Sequence, residues 1–326
     1  MRIAAIVFFL WVGVGYAQMM ADPNANIAIA NPAYKSAHPR IAIDQAHGNI
    51  HTVDGLFKPF AQLAENDGYH VVANAKSFTK DSLTNIDVLV ISNPLGTLSN
   101  DNNNSSPAFT QAECGAVYDW VQHGGSLFLI ADHAPAGDAA QPIAQRFGVA
   151  LGNNFVFDTT SDNFTGEDVT QLVFSDTNHL LGSSPIIRGR SESERLHRLV
   201  AFTGESVSIP KSATALLMLS GTAGLAFPGS EPEPMFDKDA VKAKAAREAA
   251  LKRAPAGAKS MAVAFSSGKG RVIVSGEAGM MTAQVWKEKQ KDGTDKIAGT
   301  MGWEVPGNDD RQYVLNILHW LSGALQ

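Results

Sequence analysis

Residues 120–138 read WVQHGGSLFLIADHAPAGD, and this stretch decides the fold class. A helix ends at a glycine pair, an uninterrupted apolar strand follows from Ser126 to Ala131, and Asp132-His133 stands before the next helical segment. A strand that is apolar at every position is typical of a parallel sheet covered on both faces, because a one-sided strand would alternate with polar residues. The stretch therefore predicts an α/β protein whose sheet lies between helices.

The same pattern of strands and helices extends outward in both directions. A capping box at Thr110 and Glu113 predicts the start of the helix that ends at the glycine pair. The order strand, helix, strand, strand, helix, strand predicts right-handed parallel crossovers and a doubly wound sheet. The remaining predicted strands are residues 40–44, 69–73, 86–92, 207–219, 261–265 and 271–275, and the remaining predicted helices are residues 52–67, 139–147 and 310–321.

The N-terminus predicts export. Arg2 precedes an apolar run over residues 3–14, and Gly15-Tyr16-Ala17 places small residues where a signal peptidase cleaves. The run is shorter than the roughly 20 residues that a membrane-spanning helix needs. We therefore expect residues 1–17 to be a signal peptide, with an uncleaved anchor as the alternative. The mature chain is expected to be periplasmic or secreted, with no membrane insertion after cleavage.

The rest of the chain predicts one domain. Residues 18–39 are expected to form a polar arm, and residues 40–326 a single α/β domain. Residues 231–259 interrupt that domain with a Pro/Glu-rich and then Ala/Lys-rich segment that has almost no apolar stripe. A helix with so little to bury is typical of a solvated face, so we predict a solvated insertion there, with a partner-binding arm as the alternative.

Composition excludes some classes of function. Hydrophobic residues make up 44% of the chain and the formal net charge is −6. No basic stripe is available to displace counterions from phosphates, so nucleic acid is not an expected partner. Cys114 is the sole cysteine, which excludes an internal disulfide, and we expect it to be a buried apolar residue. A small molecule or a glycan is the expected ligand, and the sequence leaves the oligomeric state open.

Polar residues follow the predicted strands at the edge where doubly wound sheets bind ligands. They lie after the first, third and fourth strands and after a late strand, and one lies in a loop of the second half. The catalytic candidates are Asp44, His47, Asp132 and His133. The substrate-binding candidates are Asn49, Asn93, His179 and Glu277.

These residue types allow three interpretations. Asp44, His47 and His133 are a ligand set that Zn²⁺ or a similar divalent ion can use, with an open position for water. Alternatively, a histidine oriented by an aspartate acts as a general base without metal, or the crevice binds a sugar. In the third interpretation the aspartates cap loop amides and the histidines only pack. Neither histidine lies in a tight motif such as HxxxH, so the sequence leaves all three open.

Several stretches together resemble a known superfamily. RIAIDQAHGN (residues 40–49), IDVLVISNP (86–94) and residues 120–138 are similar to class I glutamine amidotransferase-like proteins, closest to the ThuA-like branch and to uncharacterised secreted bacterial relatives. GKGRVIVSGEAGMMTAQ (268–284) and NDDRQYVLNILHWLSG (308–323) are similar to the ends of those relatives. The resemblance implies a flavodoxin-like three-layer sandwich with a mainly parallel sheet over residues 40–325, outside the insertion.

The resemblance also bears on activity. Amidotransferases carry a cysteine at the turn after the strand that here ends at Ala131, whereas this chain has Asp132-His133 there. Glutamine hydrolysis through a cysteine is therefore not expected. ThuA-like proteins often carry a histidine at that turn and are associated with carbohydrate use. We expect an exported hydrolase-like protein that acts on a carbohydrate or cell-envelope glycan; the alternative is a non-catalytic sugar- or protein-binding module.

Overall fold

A computed structural model describes most of the chain: residues 18–36, 38–102, 104–166, 168–228, 242, 254–290 and 293–326. The predicted signal peptide, residues 1–17, lies outside the described residues, as does most of the predicted solvated insertion, namely its residues 231–241 and 243–253. Within the described ranges, none of the helices is long and apolar enough to cross a membrane.

The described residues form a mixed α/β fold with a seven-stranded, mainly parallel central sheet. The strands are β1 Gln18–Ala21, β2 Arg40–Asp44, β3 His70–Asn74, β4 Val88–Ser92, β5 Ser126–Ile130, β6 Phe155–Asp158, β7 Phe164–Thr165, β8 Asp168–Ser175, β9 Arg198–Phe202, β10 Thr214–Met218, β11 Ala223–Ala226, β12 Ser260–Ser267, β13 Gly270–Ser275, β14 Ala283–Lys289 and β15 Asp295–Gly302. The helices are α1 Lys58–Asn66, α2 Gln111–Gln122, α3 Ala136–Arg146, α4 Pro185–Arg188 and α5 Asp310–Ser322.

The central sheet has the strand order β10-β12-β13-β5-β4-β2-β3. Strands β3, β2, β4, β5 and β13 run parallel to one another, and β12 runs antiparallel to both of its neighbours. Every residue of β4 and β5 is buried, as the unbroken apolar runs predict. The carboxyl ends of five parallel strands therefore meet at one edge of the sheet, which we call the carboxyl edge.

Successive residues of each central strand enter two different cores. On β2, Ile41 and Ile43 pack with residues of α1 and α5, whereas Ala42 packs with residues of α2 and α3. This division follows from the strand period of two, which points neighbouring side chains to opposite faces. Helices therefore cover both faces of the sheet, as residues 120–138 predict.

The predicted capping box at α2 is present. Thr110 Oγ1 accepts a hydrogen bond from Glu113 N at 3.3 Å, and Glu113 Oε2 accepts from Thr110 N at 3.0 Å. Two amides that have no partner inside the helix are thereby satisfied. The cap fixes the Glu113 carboxylate at the carboxyl edge, where it takes part in a second set of contacts described below.

Several element boundaries differ from the predicted ones, and proline explains two of them. The helix predicted over residues 52–67 begins only at Lys58, because Pro59 favours a first-turn position. The strand predicted over residues 207–219 is confined to Thr214–Met218, since Pro210 interrupts it. The helix predicted at residues 139–147 starts three residues earlier, at Ala136.

Smaller sheets flank the central one. They are β1-β14-β15, β7-β8-β9 and the pair β6-β11. The first four residues of the predicted polar arm thus form a strand, which pairs antiparallel with β14. Near the C-terminal end of the predicted insertion, Ala256 is 1% exposed and its amide donates to Ala223 O at 2.9 Å. This end of the insertion therefore packs on β11.

One buried ionisable pair joins the two ends of the domain. Asp67 follows α1, and its Oδ2 lies 2.6 Å from Nε2 of His319 on α5, with both side chains 1% exposed. Its Oδ1 accepts from Ala33 N in the N-terminal arm at 2.8 Å. The arm, α1 and α5 are therefore tied together through one carboxylate.

Replacing His319 with alanine should lower the free energy of unfolding by about 3–5 kcal/mol, because Asp67 then stays buried without its partner. The exposed pair His197–Asp176, with side chains 58% and 46% exposed, is the matched control. His197→Ala should cost no more than about 1 kcal/mol. Urea unfolding of both variants measures the two values, and equal losses would contradict the role given to the buried pair.

Candidate functional site

The loops at the carboxyl edge bring most of the predicted site residues to one side of the molecule. Asp44 ends β2, Asn93 follows β4, Asp132 follows β5 and Glu277 follows β13. The strand order reverses between β2 and β4, since the chain passes from β2 to β3 on one side and from β4 to β5 on the other. Open α/β sheets bind ligands at such a reversal. We call the space between these loops the crevice.

His47 is enclosed by two carboxylates and two aromatic rings. Its Nδ1 lies 2.8 Å from Asp44 Oδ2, and its Nε2 lies 2.9 Å from Glu113 Oε1. The rings of Phe78 and Phe109 each lie 4.6 Å from the imidazole, centroid to centroid. The histidine is 8% exposed. Both ring nitrogens are occupied, so neither can accept a substrate proton or bind a metal.

The charges around His47 favour its protonated form. Burial alone would lower its pKa, but the hydrogen bonds and charges of Asp44 and Glu113 outweigh burial and raise the pKa above its usual value. Burial would raise the pKa of Glu113, but the hydrogen bonds from His47 and Thr110 outweigh burial and lower this pKa to about 2. An imidazolium between two carboxylates is a buried electrostatic link between the first-strand loop and α2.

The proposed metal ligands are not assembled. Across the described ranges, no group of three or more His, Cys, Asp or Glu side chains is arranged to hold a metal ion. Asp44 and His47 bond to each other, and His133 makes its contacts in the next loop. In this arrangement both nitrogens of His47 already bond to carboxylates, so the metal site of Asp44, His47 and His133 stays a sequence-based prediction.

Asn49 and Asn93 tie the loops together. Asn49 Oδ1 accepts from His47 N at 3.0 Å, and its Nδ2 donates to Ser92 O at 3.3 Å. Asn93, which has a left-handed φ of 43°, accepts from Asp132 N at 2.8 Å through Oδ1. Asparagine tolerates this conformation better than most residues. The side-chain amides of Asn49 and Asn93, which were predicted to bind substrate, therefore position neighbouring loops through these atoms.

Asp132 stands at the exit of β5 and is partly exposed. Its Oδ1 accepts from His133 N at 2.7 Å. Burial of the carboxylate raises its pKa above the usual value, and the charge of His133 together with amides of His133 and Ala278 offsets this only in part. Asp132 is therefore a solvent-reachable carboxyl group whose proton is held more tightly than usual.

His133 has one ring nitrogen that is fixed and one that is available. Nδ1 lies 2.9 Å from the backbone oxygen of Ala134, which can only accept, so Nδ1 carries the hydrogen. The ring stacks on Phe155 with centroids 4.8 Å apart. The residue is partly exposed, and in the described part of the chain Nε2 makes no hydrogen bond. A neutral His133 thus presents a lone pair on Nε2, as a general base requires.

Glu277 lies below the crevice rather than in it. It is fully buried; Oε1 accepts from Gly279 N at 2.6 Å, and Oε2 accepts from Met280 N at 3.0 Å. Burial, followed by the charge on Asp132, raises the pKa of Glu277 well above its usual value. Glu277 therefore caps a short turn, and its raised pKa favours the protonated form next to Asp132. This position differs from the substrate contact that the sequence predicted for it.

Glu205 is a site residue that the sequence analysis missed. It is fully buried after β9, its amide bonds to Gly276 O at 2.6 Å, and one carboxylate oxygen accepts from Asn153 N. Burial, with the charges of Asp132 and Asp138, raises its pKa well above the usual value. The signal was a repeated tetrapeptide pattern: TGES at residues 203–206 and SGEA at residues 275–278 each place Gly-Glu directly after a strand.

His51 and His179 lack the arrangement found at His133. His51 Nδ1 lies 3.1 Å from Ser92 Oγ, and burial lowers the pKa of this histidine to about 3. Ser92 is fully buried, so this pair does not present a nucleophile. His179 is exposed in the turn after β8 with a φ of 60°, and none of the contacts of the described residues joins it to Asp132 or His133.

The His47 link should make stability depend on pH in a defined way. The raised pKa of His47 stabilises the fold below about pH 6.5, and this contribution is lost as the pH rises through the folded-state pKa. The lowered pKa of Glu113 stabilises above about pH 4.5 and is lost as the pH falls through about 2. His47→Gln should therefore lower the free energy of unfolding most, by about 3–5 kcal/mol, between about pH 4.5 and about pH 6.5.

Urea unfolding at acidic, mildly acidic and alkaline pH measures this dependence. His70→Gln is the control, because His70 is exposed on β3, and its effect should be small. A cost of His47→Gln that is the same at every pH would contradict the charged link.

Comparisons with known proteins bear on the fold. No protein-family model and no curated protein matches the chain. The mmIFT52 N-terminal domain aligns with a TM-score of 0.55 at 13% identity, over 86% of this chain and 97% of that domain. At this identity the likeness shows a similar fold and nothing about activity.

Two weaker structural matches accompany it. A putative ThuA-like protein from Bacteroides uniformis has a TM-score of 0.40 at 15% identity, covering 92% of this chain and 95% of its own. A putative GMP synthase protein from Thermoplasma acidophilum has a TM-score of 0.40 at 11% identity, covering 89% of this chain and 96% of its own. These scores are too low for an argument about this chain.

Proposed function

We propose that this chain is an exported hydrolase that acts on a carbohydrate or cell-envelope glycan, with His133 and Asp132 at the reacting position. The observation that carries the proposal is the fixed tautomer of His133. Its Nδ1 is held by Ala134 O, so Nε2 is left as an acceptor at the partly exposed end of a central strand. This is the arrangement that a general base needs.

The neighbouring groups suit hydrolysis. In the proposed step, Nε2 of His133 takes a proton from water while the water oxygen attacks the scissile carbon and the bond from that carbon to the leaving sugar oxygen breaks. Asp132, whose raised pKa favours its protonated form, gives its proton to the leaving oxygen, and the carboxylate that results stabilises the imidazolium of the adjacent His133. The helix α3 begins three residues after His133, and the dipole of a helix favours negative charge near its N-terminus.

The proposal includes membership of the class I glutamine amidotransferase-like superfamily, near its ThuA-like branch. The parallel strands lie in the order β3-β2-β4-β5-β13, which is the flavodoxin-like order 2-1-3-4-5. The motifs at residues 40–49, 86–94 and 120–138 support the same assignment. Cysteine chemistry is not part of it, because Cys114 is fully buried on α2 and Asp132-His133 occupies the turn after β5.

Export is also a proposal, and the location is periplasmic or secreted. It is supported by Arg2, by the apolar run over residues 3–14 and by the small residues at positions 15 and 17. Gln18 would be the first residue of the mature chain, and it pairs with Lys287 of β14. Cleavage before Gln18 would therefore leave the whole of β1 in the folded protein.

Replacing His133 with glutamine should reduce hydrolysis by about 10²–10⁴-fold, because the general base is lost. Release of reducing ends from purified peptidoglycan sacculi and from chitin oligosaccharides measures this. The melting temperature should fall by only a few degrees, about the effect of losing the one hydrogen bond from the ring to Ala134 O. His197→Gln, at the exposed histidine paired with Asp176, is the control and should keep full activity.

Two outcomes would contradict the hydrolase. Full activity in His133→Gln would exclude His133 as the base. No release of reducing ends by the wild type, together with co-sedimentation of the protein with sacculi, would favour a glycan-binding module with the same crevice.

A further inference from the structure

Phe155 on β6 covers one face of the His133 imidazole. The two rings are stacked, with centroids 4.8 Å apart and an angle of 27° between their planes. The hydrogen bond from Nδ1 to Ala134 O holds only one edge of the imidazole. Because the terminal torsion of a histidine side chain is broad, its rotamer alone does not fix the plane of the ring. The stack with Phe155 therefore determines the plane in which Nε2 lies.

The alternation of side chains along β6 places the Phe155 ring outside the main core. Val156 belongs to the large core cluster that includes residues of α1 and α5, whereas Phe155 and Phe157 project to the opposite face. On the facing strand β11, Ala226 lies opposite Phe155. Gly224 lies opposite Phe157, and a Cβ on Gly224 would stand 2.3 Å from that ring. The small residues of β11 therefore leave the room that two phenylalanine rings need.

The backbone on both sides of Phe155 is tied to the loop after β9. Asn154 is fully buried; its Nδ2 donates to Ser206 Oγ at 2.9 Å and its Oδ1 accepts from Ser206 N at 3.0 Å. On the other side, Val156 N donates to Gly204 O at 3.1 Å. Hydrogen bonds from both neighbours thus hold Phe155 at a fixed place beside the imidazole.

A phenylalanine ring in this position also favours the charged form of the histidine. When Nε2 of His133 takes a proton from water, the imidazole becomes a cation. The face of an aromatic ring attracts a cation that lies within about 6 Å of the ring centroid. The stack therefore stabilises the imidazolium that develops in the transition state more than the neutral imidazole of the resting protein, and such a difference lowers the barrier.

We propose that Phe155 is a positioning residue for His133: its ring fixes the plane of the imidazole and stabilises the imidazolium that forms during hydrolysis. The proposal rests on the function proposed above and adds a residue to its site. Phe155 acts through His133, so it does not need to touch the substrate.

Phe164 provides the matched control. Like Phe155, it is partly buried and packs against the small cluster of Phe157, Val169 and Ala226, so leucine at either position loses similar packing. In the described part of the chain, the ring stacked on His133 is that of Phe155. Phe155→Leu removes this ring, Phe155→Tyr keeps an aromatic ring in its place, and Phe164→Leu leaves the stack intact.

The tautomer of His133 provides the first test, which needs no substrate. Nitrogen-15 NMR distinguishes a protonated from an unprotonated ring nitrogen, at a mildly alkaline pH where an imidazole is neutral. The wild type, Phe155→Tyr and Phe164→Leu should carry the hydrogen on Nδ1 alone. Phe155→Leu should show both tautomers, because the ring can then turn away from Ala134 O. A single Nδ1–H tautomer in Phe155→Leu, or its loss in Phe155→Tyr, would overturn the proposal.

The kinetics of reducing-end release from chitin oligosaccharides provide the second test. Phe155→Leu should lower kcat about tenfold with little change in KM, because the ring acts on the proton transfer. Phe155→Tyr and Phe164→Leu should keep the kcat of the wild type. In the His133→Gln background, Phe155→Leu should cause no further loss, since the residue through which it acts is already gone.

The outcomes separate the positioning role from the hydrolase. A tenfold loss from Phe155→Leu in both backgrounds, or an equal loss from Phe164→Leu, would mean that the ring contributes only packing, which contradicts the proposal. If the wild type releases no reducing ends while the tautomer of His133 still depends on Phe155, the hydrolase is excluded and the orientation of the imidazole by Phe155 stands.

Discussion

Loops that leave the carboxyl edge of the central sheet are covered by helices and must satisfy their polar groups on one another. Asn49 bonds to the last residue of β4, Asn93 bonds to the loop after β5, and Glu205 bonds through its amide to the loop after β13. A buried amide or carbonyl without a partner costs about as much as a lost hydrogen bond. This mutual bonding fixes Asp132 and His133 in place, so the candidate site depends on side chains that never touch a ligand.

The parts of the fold that depend on local sequence were predictable. The apolar runs of β4 and β5 and the capping box of α2 identify themselves within a few residues. The sheet of β1, β14 and β15 was not predicted, because β1 pairs with residues more than 250 positions away. The position of Glu205 depends on the same kind of distant pairing, since only the fold brings residues 205 and 276 together.

His47 and His133 show why a site is harder to predict than a fold. Both follow a buried parallel strand, and both have an aspartate within three positions. Glu113, supplied by the cap of a distant helix, occupies the second nitrogen of His47, whereas the second nitrogen of His133 has no such neighbour among the described residues. Residue type and spacing are nearly the same for the two histidines, and the difference in their chemistry comes from a contact across 66 positions.

Satisfied and unsatisfied polar groups divide the carboxyl edge into regions with different tasks. Around His47 every nitrogen is paired with a carboxylate, which stabilises a fixed geometry and leaves nothing to bind a ligand. At His133 only Nδ1 is held, by Ala134 O, and Nε2 makes no hydrogen bond among the described residues. An acceptor that the fold leaves unpaired at a partly exposed position is the better candidate for contact with a ligand, although the two histidines are equally polar in the sequence.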